Sequence, residues 1–403
     1  MAWTPKDAAD AAAAVGDALA QGRTLELVGT GTRRAFGRPV EADAVLDLSA
    51  LNRVVTYQPE ELILAVEPGV PMADVAVMLA ERGQCLAFEP PDFGPLWGLP
   101  AGLGTVGGAM LTGRGGPRRL TAGGPRDHCL GLKGVNGFGE AFAAGGRVVK
   151  NVTGFDVCKL ATGSFGTLCA VTELTVKVLP APPQAQTLVI RGLGDEAAMA
   201  VMAKALGCPA QVSSAAHLPA DIAARSHVGE LSAAGGGVTL LRVEGVGPSV
   251  TARIAHLAQV LSSETRQAVL DREASQLAWK EIADAAFFVG RQDPVWKLSV
   301  APMSGAAAGR RLADELGGRC FYDWGGGAVW LELPAAPDAH AGRVRQVLAQ
   351  VGDGHATLMR APGAVRAQVA PFQPLAPGVA ALTERVRAQF DPQRIFNPGR
   401  MYA

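Results

Sequence analysis

Two periods of apolar positions run along this chain, and they predict most of its elements. The Ala-rich run Ala8–Ala20, with Asp7, Asp10 and Asp17 beside and within it, predicts an amphipathic surface helix. Short apolar stretches follow at Arg23–Val28, Val45–Leu48, Val54–Tyr57 and Leu62–Val66, each predicting a strand. The last closes at Glu67-Pro68-Gly69, and Pro71 then opens a helix through Arg82, with Gly83 as its C-cap. These elements predict a small α/β unit over roughly residues 20 to 90.

Between Leu99 and Leu168 the pattern changes to dense, non-repeating glycine mixed with Thr, Ser and Arg. No three-residue period is present, so a collagen-like reading fails. A flexible linker fails too, because helix-like Phe155–Ala161 and strand-like Leu168–Leu179 interrupt the glycines. Cys129–Val135 and Arg147–Val149 predict two strands of a meander, with Gly145-Gly146 as the tight turn. Glycine lets backbone approach a ligand with no Cβ in the way, so the region suggests loops wrapped around a phosphate-bearing molecule.

Pro180-Ala181-Pro182-Pro183 marks the predicted domain boundary. Beyond it, helical periods (Glu196–Leu206, Ser249–Leu261, Arg272–Ala285, Ala307–Leu316, Ala341–Val351) alternate with strands (Val238–Val243, Val295–Val300, Val329–Leu333, Ala356–Arg360). This predicts one sheet with helices on a single face. A last helix, Val379–Phe390, precedes the polar, Pro-punctuated tail Asp391–Arg400, which reads as docked rather than frayed. The fold class is therefore α+β: residues 1–180 as a two-lobed domain, 181–375 as a smaller α+β domain covering it, and 376–403 as a returning segment.

At 403 residues, with 37 basic against 37 acidic side chains, nothing draws the chain as a whole to nucleic acid or an anionic membrane. No signal peptide and no membrane span are expected. The cysteines Cys85, Cys129, Cys158, Cys169, Cys208 and Cys320 include no C-x-x-C pair, which disfavours zinc or an iron–sulfur cluster and points to reduced thiols in the cytoplasm.

Gly102–Gly107 matches G-x-G-x-x-G, but Pro90–Pro95 and Pro100 before it cannot form the central strand that a dinucleotide fold needs. Gly29-Thr30-Gly31-Thr32-Arg33 is better placed, directly after a strand, where bare amides suit a pyrophosphate and Arg33 or Arg34 supplies counter-charge. An ordinary surface turn is the plain alternative. The histidines are scattered, with no metal-ligand spacing, so no metal is expected. His355 is the one candidate for catalysis; its plain alternative is a loop histidine beside a strand. For Arg118, Arg119 and Arg126 the choice is a solvated basic loop or contact with phosphate or an acidic partner. No G-x-S-x-G and no Walker loop is present.

Taken together, Gly29–Arg33, Glu67-Pro68-Gly69, Gly104–Gly108, Thr153–Val157 and Gly163–Leu168 resemble the FAD-binding fold of the vanillyl-alcohol oxidase (PCMH) type. Arg394–Arg400 is similar to the closing motif of its 2-hydroxyacid dehydrogenases, and the tract Gly113–Leu160 resembles the flavin subunits of bacterial glycolate oxidases. The resemblance implies two lobes cradling FAD under a cap domain. Gly29, Thr30, Gly31, Thr32, Gly104, Thr105, Gly107 and Gly108 would hold the pyrophosphate, with Arg33, Pro68, Arg126 and Asp127 in the same site. Thr153, Gly154, Asp156, Gly163, Gly166, Thr167 and Leu168 would lie along the adenosine and ribityl parts. Asn397 would reach the flavin ring edge. FAD is expected without a covalent link, His128 being the nearby histidine.

The chain also departs from its catalytic relatives. It lacks their histidine-rich G-E-H-G type segment; Gly352–Arg360 aligns with it only loosely. The resemblance therefore implies a member of a complex, with a sister FAD-containing subunit, an iron–sulfur subunit and a small 2-hydroxyacid as substrate. Peripheral attachment to the inner membrane would come through the complex. Arg114, Arg118, Arg119 and Arg126 are the expected partner contacts. Two alternatives stand beside this reading: a self-sufficient D-lactate or D-2-hydroxyacid dehydrogenase, and a flavin-free scaffold.

Overall fold

A computed structural model describes residues 2–147, 154–263 and 266–402. The first lobe is a parallel sheet of β1 (Leu25–Val28) and β2 (Ala44–Asp47), with Ala2–Trp3 on the far side of β2. Helix α1 (Ala8–Ala20), capped by the Asp7 carboxylate on the Asp10 amide, covers it with Ala11, Val15 and Ala18.

The second lobe is an antiparallel sheet ordered β3-β4-β7-β5-β6, built from Val54–Gln58, Ile63–Val66, Cys169–Lys177, Cys129–Asn136 and Ala141–Gly145 respectively. Every residue of β4 is buried, and α2 (Met72–Ala80) and α3 (Val106–Thr112) pack over the same core. The predicted unit over residues 20 to 90 is thus divided: β3, β4 and α2 belong to the second lobe, because β4 pairs with β7 rather than β2. The meander differs as well. The partner of β5 is β6, so Gly145 ends a strand instead of making the turn; the hairpin turns at Gly137–Gly139. Arg147 lies beyond β6, and the remainder of that predicted strand falls outside the described residues. The short helix α4 (Val157–Ala161) follows.

Residues 184–360 supply an eight-stranded antiparallel sheet: β8 (Gln184–Arg191), β9 (Ser214–Leu218), β10 (Val238–Gly245), β11 (Gln267–Leu270), β12 (Val295–Val300), β13 (Arg319–Asp323), β14 (Ala328–Glu332) and β15 (Gly354–Arg360). The spatial order is β11-β8-β10-β9-β13-β14-β12-β15. Helices α5 (Asp195–Leu206), α6 (Gly247–Val260), α8 (Gly305–Leu316) and α9 (Ala341–Gln350) share one face. Helix α7 (Arg272–Asp284) lies on the other, against Val189 and Leu270, so the helices are not confined to one side. That second face also packs on Phe36, Phe93, Leu96 and Phe165 of the lobes. It is the wall between the cap and the two-lobed domain. After α10 (Pro377–Phe390) the chain returns to the first lobe. There Phe396 bridges to Leu25, and Ile395 and Phe396 enter the core.

Candidate functional site

The two lobes meet at a cleft with about 730 Å³ of open space. Its lining brings together Gly29–Arg33 after β1, Pro68 after β4, Thr105, Gly107 and Gly108 at the start of α3, then Gly166 and Asn397. Residues far apart in sequence are thus assembled by the strand ends and the returning tail. A second, larger space, open to solvent, shares Thr32 and Arg33 with the cleft and continues past Gly104, Phe93 and Trp97 to Lys280 and Asp284 of α7. The space is elongated and runs from the lobes toward the cap.

The two glycine loops do different work. Among the described residues, the amides of Gly29, Thr30, Gly31 and Thr32 form no hydrogen bond, and Gly31 takes a φ of +74°, a conformation that costs glycine little. In the second loop the donors are occupied: Val106 N–H donates to the Val70 carbonyl at 2.9 Å, Gly107 N–H to Pro68 at 2.8 Å, and Gly108 N–H to Thr105 Oγ1 at 3.2 Å. Expected bare amides at Gly107 and Gly108 are therefore absent. Glycine is needed at 107 for packing, since a Cβ there would stand 2.7 Å from Pro68 Cβ.

Arg33 supplies the electrostatics. Its Nε and Nη1 are enclosed without a hydrogen-bond partner, and burial pulls its pKa down to about 10 against the opposing pull of Asp92. A buried guanidinium left unsatisfied is costly, and an anion beside open amides relieves it. The cleft therefore fits a pyrophosphate: Gly29–Thr32 offer donors and Arg33 offers charge.

Asn397 does not reach outward. Its Oδ1 accepts from Leu27 N–H at 2.8 Å and its Nδ2 donates to the Phe165 carbonyl at 2.7 Å, so the side chain ties β1 to the Phe165 loop. It is fully engaged within the protein and 3 % exposed.

Several expected site residues lie elsewhere. Arg126 is exposed; Asp127 accepts from Gly124 N–H at 2.7 Å, a bond that holds its carboxyl below the usual range. Asp156 caps α4, Gly154 is exposed, and Gly163 packs on Gly113. Thr167 bonds back to Ser164, and Leu168 is buried. None of these lines the cleft or the larger cavity. Thr153 lies outside the described residues. His355, the candidate catalyst, is exposed on edge strand β15 opposite Ser299 and lines neither space. The period-two alternation of β15 puts it in solvent. His128 is buried, with its ring nitrogens facing the carbonyls of Ala122 at 2.8 Å and Lys177 at 3.3 Å.

Two expected partner contacts are internal. Arg118 donates to Glu244 of β10, with Glu89 nearby, and Arg242 donates to Glu89 at 2.7 Å. This network fastens the lobes to the cap. Arg114 stacks over Phe36 at 4.9 Å. Sequence reasoning missed Arg400, which donates to the carbonyls of Arg33, Arg34 and Arg38 and lines the cleft. Its place in the tail motif was the available signal. It also missed Lys297, Asp323 and Trp324 at the cap wall. A lysine inside the apolar strand Val295–Val300 was the sign there.

Comparison with known proteins agrees with this geometry. Residues 1–145 match a family model described as an FAD binding domain. The chain is 28 % identical over 393 residues to glycolate oxidase subunit GlcE of Escherichia coli, covering 96 % of this chain and 95 % of that protein. It is 35 % identical to glycolate oxidase subunit GlcD of Bacillus subtilis, over 40 % of this chain and 33 % of that one. It is 33 % identical to a D-lactate dehydrogenase of Anaerostipes hadrus, over 36 % of this chain and 29 % of that one. Among solved structures, p-cresol methylhydroxylase with substrate bound superposes with a TM-score of 0.75 at 16 % identity, covering 99 % of this chain and 88 % of that one. Residues 1–145 carry an FAD binding domain, the chain has the PCMH-type fold, and over nearly its whole length it is similar to a glycolate oxidase subunit.

Proposed function

We propose that this chain is the FAD-binding subunit of a multi-subunit glycolate oxidase that converts glycolate to glyoxylate. The end-to-end similarity to GlcE, which includes the cap, carries this reading. The flavin site follows from the cleft. Gly29–Thr32 would bind the pyrophosphate through their amides, with Arg33 as counter-charge. Asn397 and Arg400 would hold the surrounding loops in register. Phe93 and Trp97 would keep water from the space facing the cap. FAD bound there supplies a two-electron acceptor for the C2 hydrogen of the 2-hydroxyacid.

General-base catalysis on a hydroxyl needs a positioned base, and among the described residues no histidine lines either space. This supports a division of labour with a sister FAD-containing subunit and an iron–sulfur subunit that carries electrons away. No described helix is long and apolar enough to cross a membrane. We place the complex in the cytoplasm, peripheral to the inner membrane. The test is dye reduction by glycolate, with the purified subunit and with the reconstituted set. Full turnover by the isolated chain, unchanged by partners, would leave a self-sufficient dehydrogenase. A purified chain with no flavin absorbance would leave a scaffold.

A further inference from the structure

Cys129 and Cys158 are too far apart in sequence to read as a pair, but the fold brings them together. Cys129 opens β5, and Cys158 lies on α4, which packs against β5 and β6. Both are free thiols buried in the core of the second lobe. Their side chains meet in a hydrogen bond. Cys158 Sγ lies 3.4 Å from the Ala144 carbonyl and 3.6 Å from the carbonyl of Leu130, the residue after Cys129. It rests against bare backbone, since a Cβ on Gly145 would stand 2.6 Å from it. Lys159 Nζ donates to the Cys129 carbonyl at 2.8 Å and sets a cation beside both sulfurs.

These surroundings sort the two thiols into different roles. The hydrogen bond from Cys129 holds Cys158 below the usual thiol range, with Lys159 adding to it against burial and Asp156. The same contact, together with burial, pushes Cys129 up. A sulfur that ionises readily beside a protonated thiol is the arrangement of an attacking and a resolving cysteine. Cys169 differs, because burial acts alone there and pushes its thiol up to about 12. The cover over Cys158 is thin. Helix α4 has five residues, and its first turn depends on Lys159 N–H donating to the Asp156 carboxylate at 3.2 Å. Gly154 and Asp156 are exposed, and Phe155 is 95 % exposed. So short a helix opens locally at small cost, which admits a small oxidant to the sulfurs.

The pair also sits at the root of one cleft wall. Thr162 Oγ1 donates to the Cys158 carbonyl at 2.9 Å, and Gly163 then packs on Gly113. Phe165 N–H donates to the Leu111 carbonyl at 2.9 Å, and Gly166 lines the cleft. We propose that Cys129 and Cys158 form a redox modification site, a dithiol that a hydroperoxide converts to a disulfide. The new bond fastens α4 to β5 and steadies the Thr162–Gly166 wall of the cleft. Cys158 sulfur attacks one peroxide oxygen, the O–O bond breaks, and a sulfenic acid and one water result. Cys129 sulfur then attacks Cys158 sulfur; the S–O bond breaks, the S–S bond forms, and a second water leaves with the Cys129 proton. The two thiols lose two electrons and the peroxide gains them. Only the identity of the cleft's ligand rests on the flavin-subunit reading.

The test is titration of the full chain with hydrogen peroxide, followed by alkylation in denaturant and mass mapping of tryptic peptides. Peptides Asp127–Lys133 and Asn151–Lys159 each carry one of the two cysteines and no other. They should become linked before Cys169 or Cys320 reacts, and dithiothreitol should part them. Cys129→Ser should leave Cys158 as a sulfenic acid that dimedone traps, and Cys208→Ser should change nothing. Lys159→Met should slow linkage roughly threefold: a thiol raised by about one pKa unit loses tenfold in thiolate and regains about threefold in nucleophilicity. Flavin release on dilution should be slower from the oxidised chain and return to its first rate after dithiothreitol. A wild-type chain that forms no linked peptide, or links either cysteine elsewhere, overturns the proposal, and this reading needs no variant to fold. Linkage with unchanged flavin release overturns the coupling to the cleft. A chain that never holds flavin yet forms the linkage would sink the flavin reading and leave the redox site standing.

Discussion

Replacing Asn397 separates a residue that fastens loops from one that touches a flavin ring. In the folded chain it accepts from Leu27 N–H and donates to the Phe165 carbonyl. Asn397→Ala strands the Leu27 donor and the Phe165 acceptor; one stranded buried group costs roughly 1–3 kcal/mol. The backbone adds to this. Asn397 has a φ of +41°, a region that an alanine enters at a cost of roughly 1–2 kcal/mol and glycine enters freely. The sum for alanine is about 2–5 kcal/mol, counting one group as stranded and the other as relieved by relaxation or water. Asn397→Gly should lose about 1 kcal/mol less, because only the hydrogen bonds go. Asn397→Asp keeps the acceptor for Leu27 but sets a carboxylate against the Phe165 carbonyl, and should match alanine. Urea midpoints of the flavin-free proteins measure all three, and absorbance measures how much FAD each retains. Equal midpoints for wild type, alanine and glycine, combined with a shifted flavin band in the loaded proteins, would refute the fastening role. Asn397 would then be a contact to the ring.

Gly107→Ala should destabilise the flavin-free chain by about 1–3 kcal/mol, because its Cβ must push Pro68 aside; a normal midpoint with lost flavin would restore a direct phosphate role. Arg33→Met should remove most bound FAD without lowering the midpoint of the flavin-free protein, since it deletes a desolvated charge with unpaired nitrogens. Burial pushes the Glu244 carboxyl up, but Arg242 and Arg118 outweigh it and hold the group below its ordinary value of 4.5. The native state therefore binds fewer protons than the unfolded one, and this stability is present above pH 4.5 and lost as pH falls further. Glu244→Gln should flatten that acid limb in urea titrations at successive pH values. FAD should separate completely from the denatured polypeptide on filtration, because both ring nitrogens of His128 face backbone carbonyls; colour retained on the chain would contradict this.

Elements with one clear period were legible in sequence. Helix α1 is predicted and found over Ala8–Ala20, and β12 over Val295–Val300. Strands such as β9, with every residue buried, carry no alternation to read, and SAAHL has little apolar bulk. The division of the lobes was also hidden. Short strands at Val54–Gln58 and Ile63–Val66 follow β2 in sequence, yet they pair with each other, and the second pairs with β7 more than a hundred residues on, a choice that local pattern does not encode. The cleft was visible in part, because glycine at Gly29 and Gly31 reports a backbone requirement wherever it occurs. What glycine cannot report is which requirement. Gly31 serves a turn with open amides, whereas Gly107 serves contact with Pro68. Likewise a histidine draws the eye in a sequence, while the lysine inside the apolar strand Val295–Val300, an equally plain sign, was passed over. His355 proved to be solvated and Lys297 buried.

The same arrangement bears on why such a chain would work in a complex. A hydroxyacid oxidation needs a flavin, a grip on the carboxylate and a base for the hydroxyl. The cleft offers pyrophosphate donors, and among the described residues no histidine lines it or the larger space. The lobes and cap are also fastened together, through Glu89, Arg118, Arg242 and Glu244 and through the Trp324 bond to Gly116. Dye reduction by glycolate should therefore be low with the isolated subunit and rise when its partners are added, and full turnover by the chain alone would contradict this division.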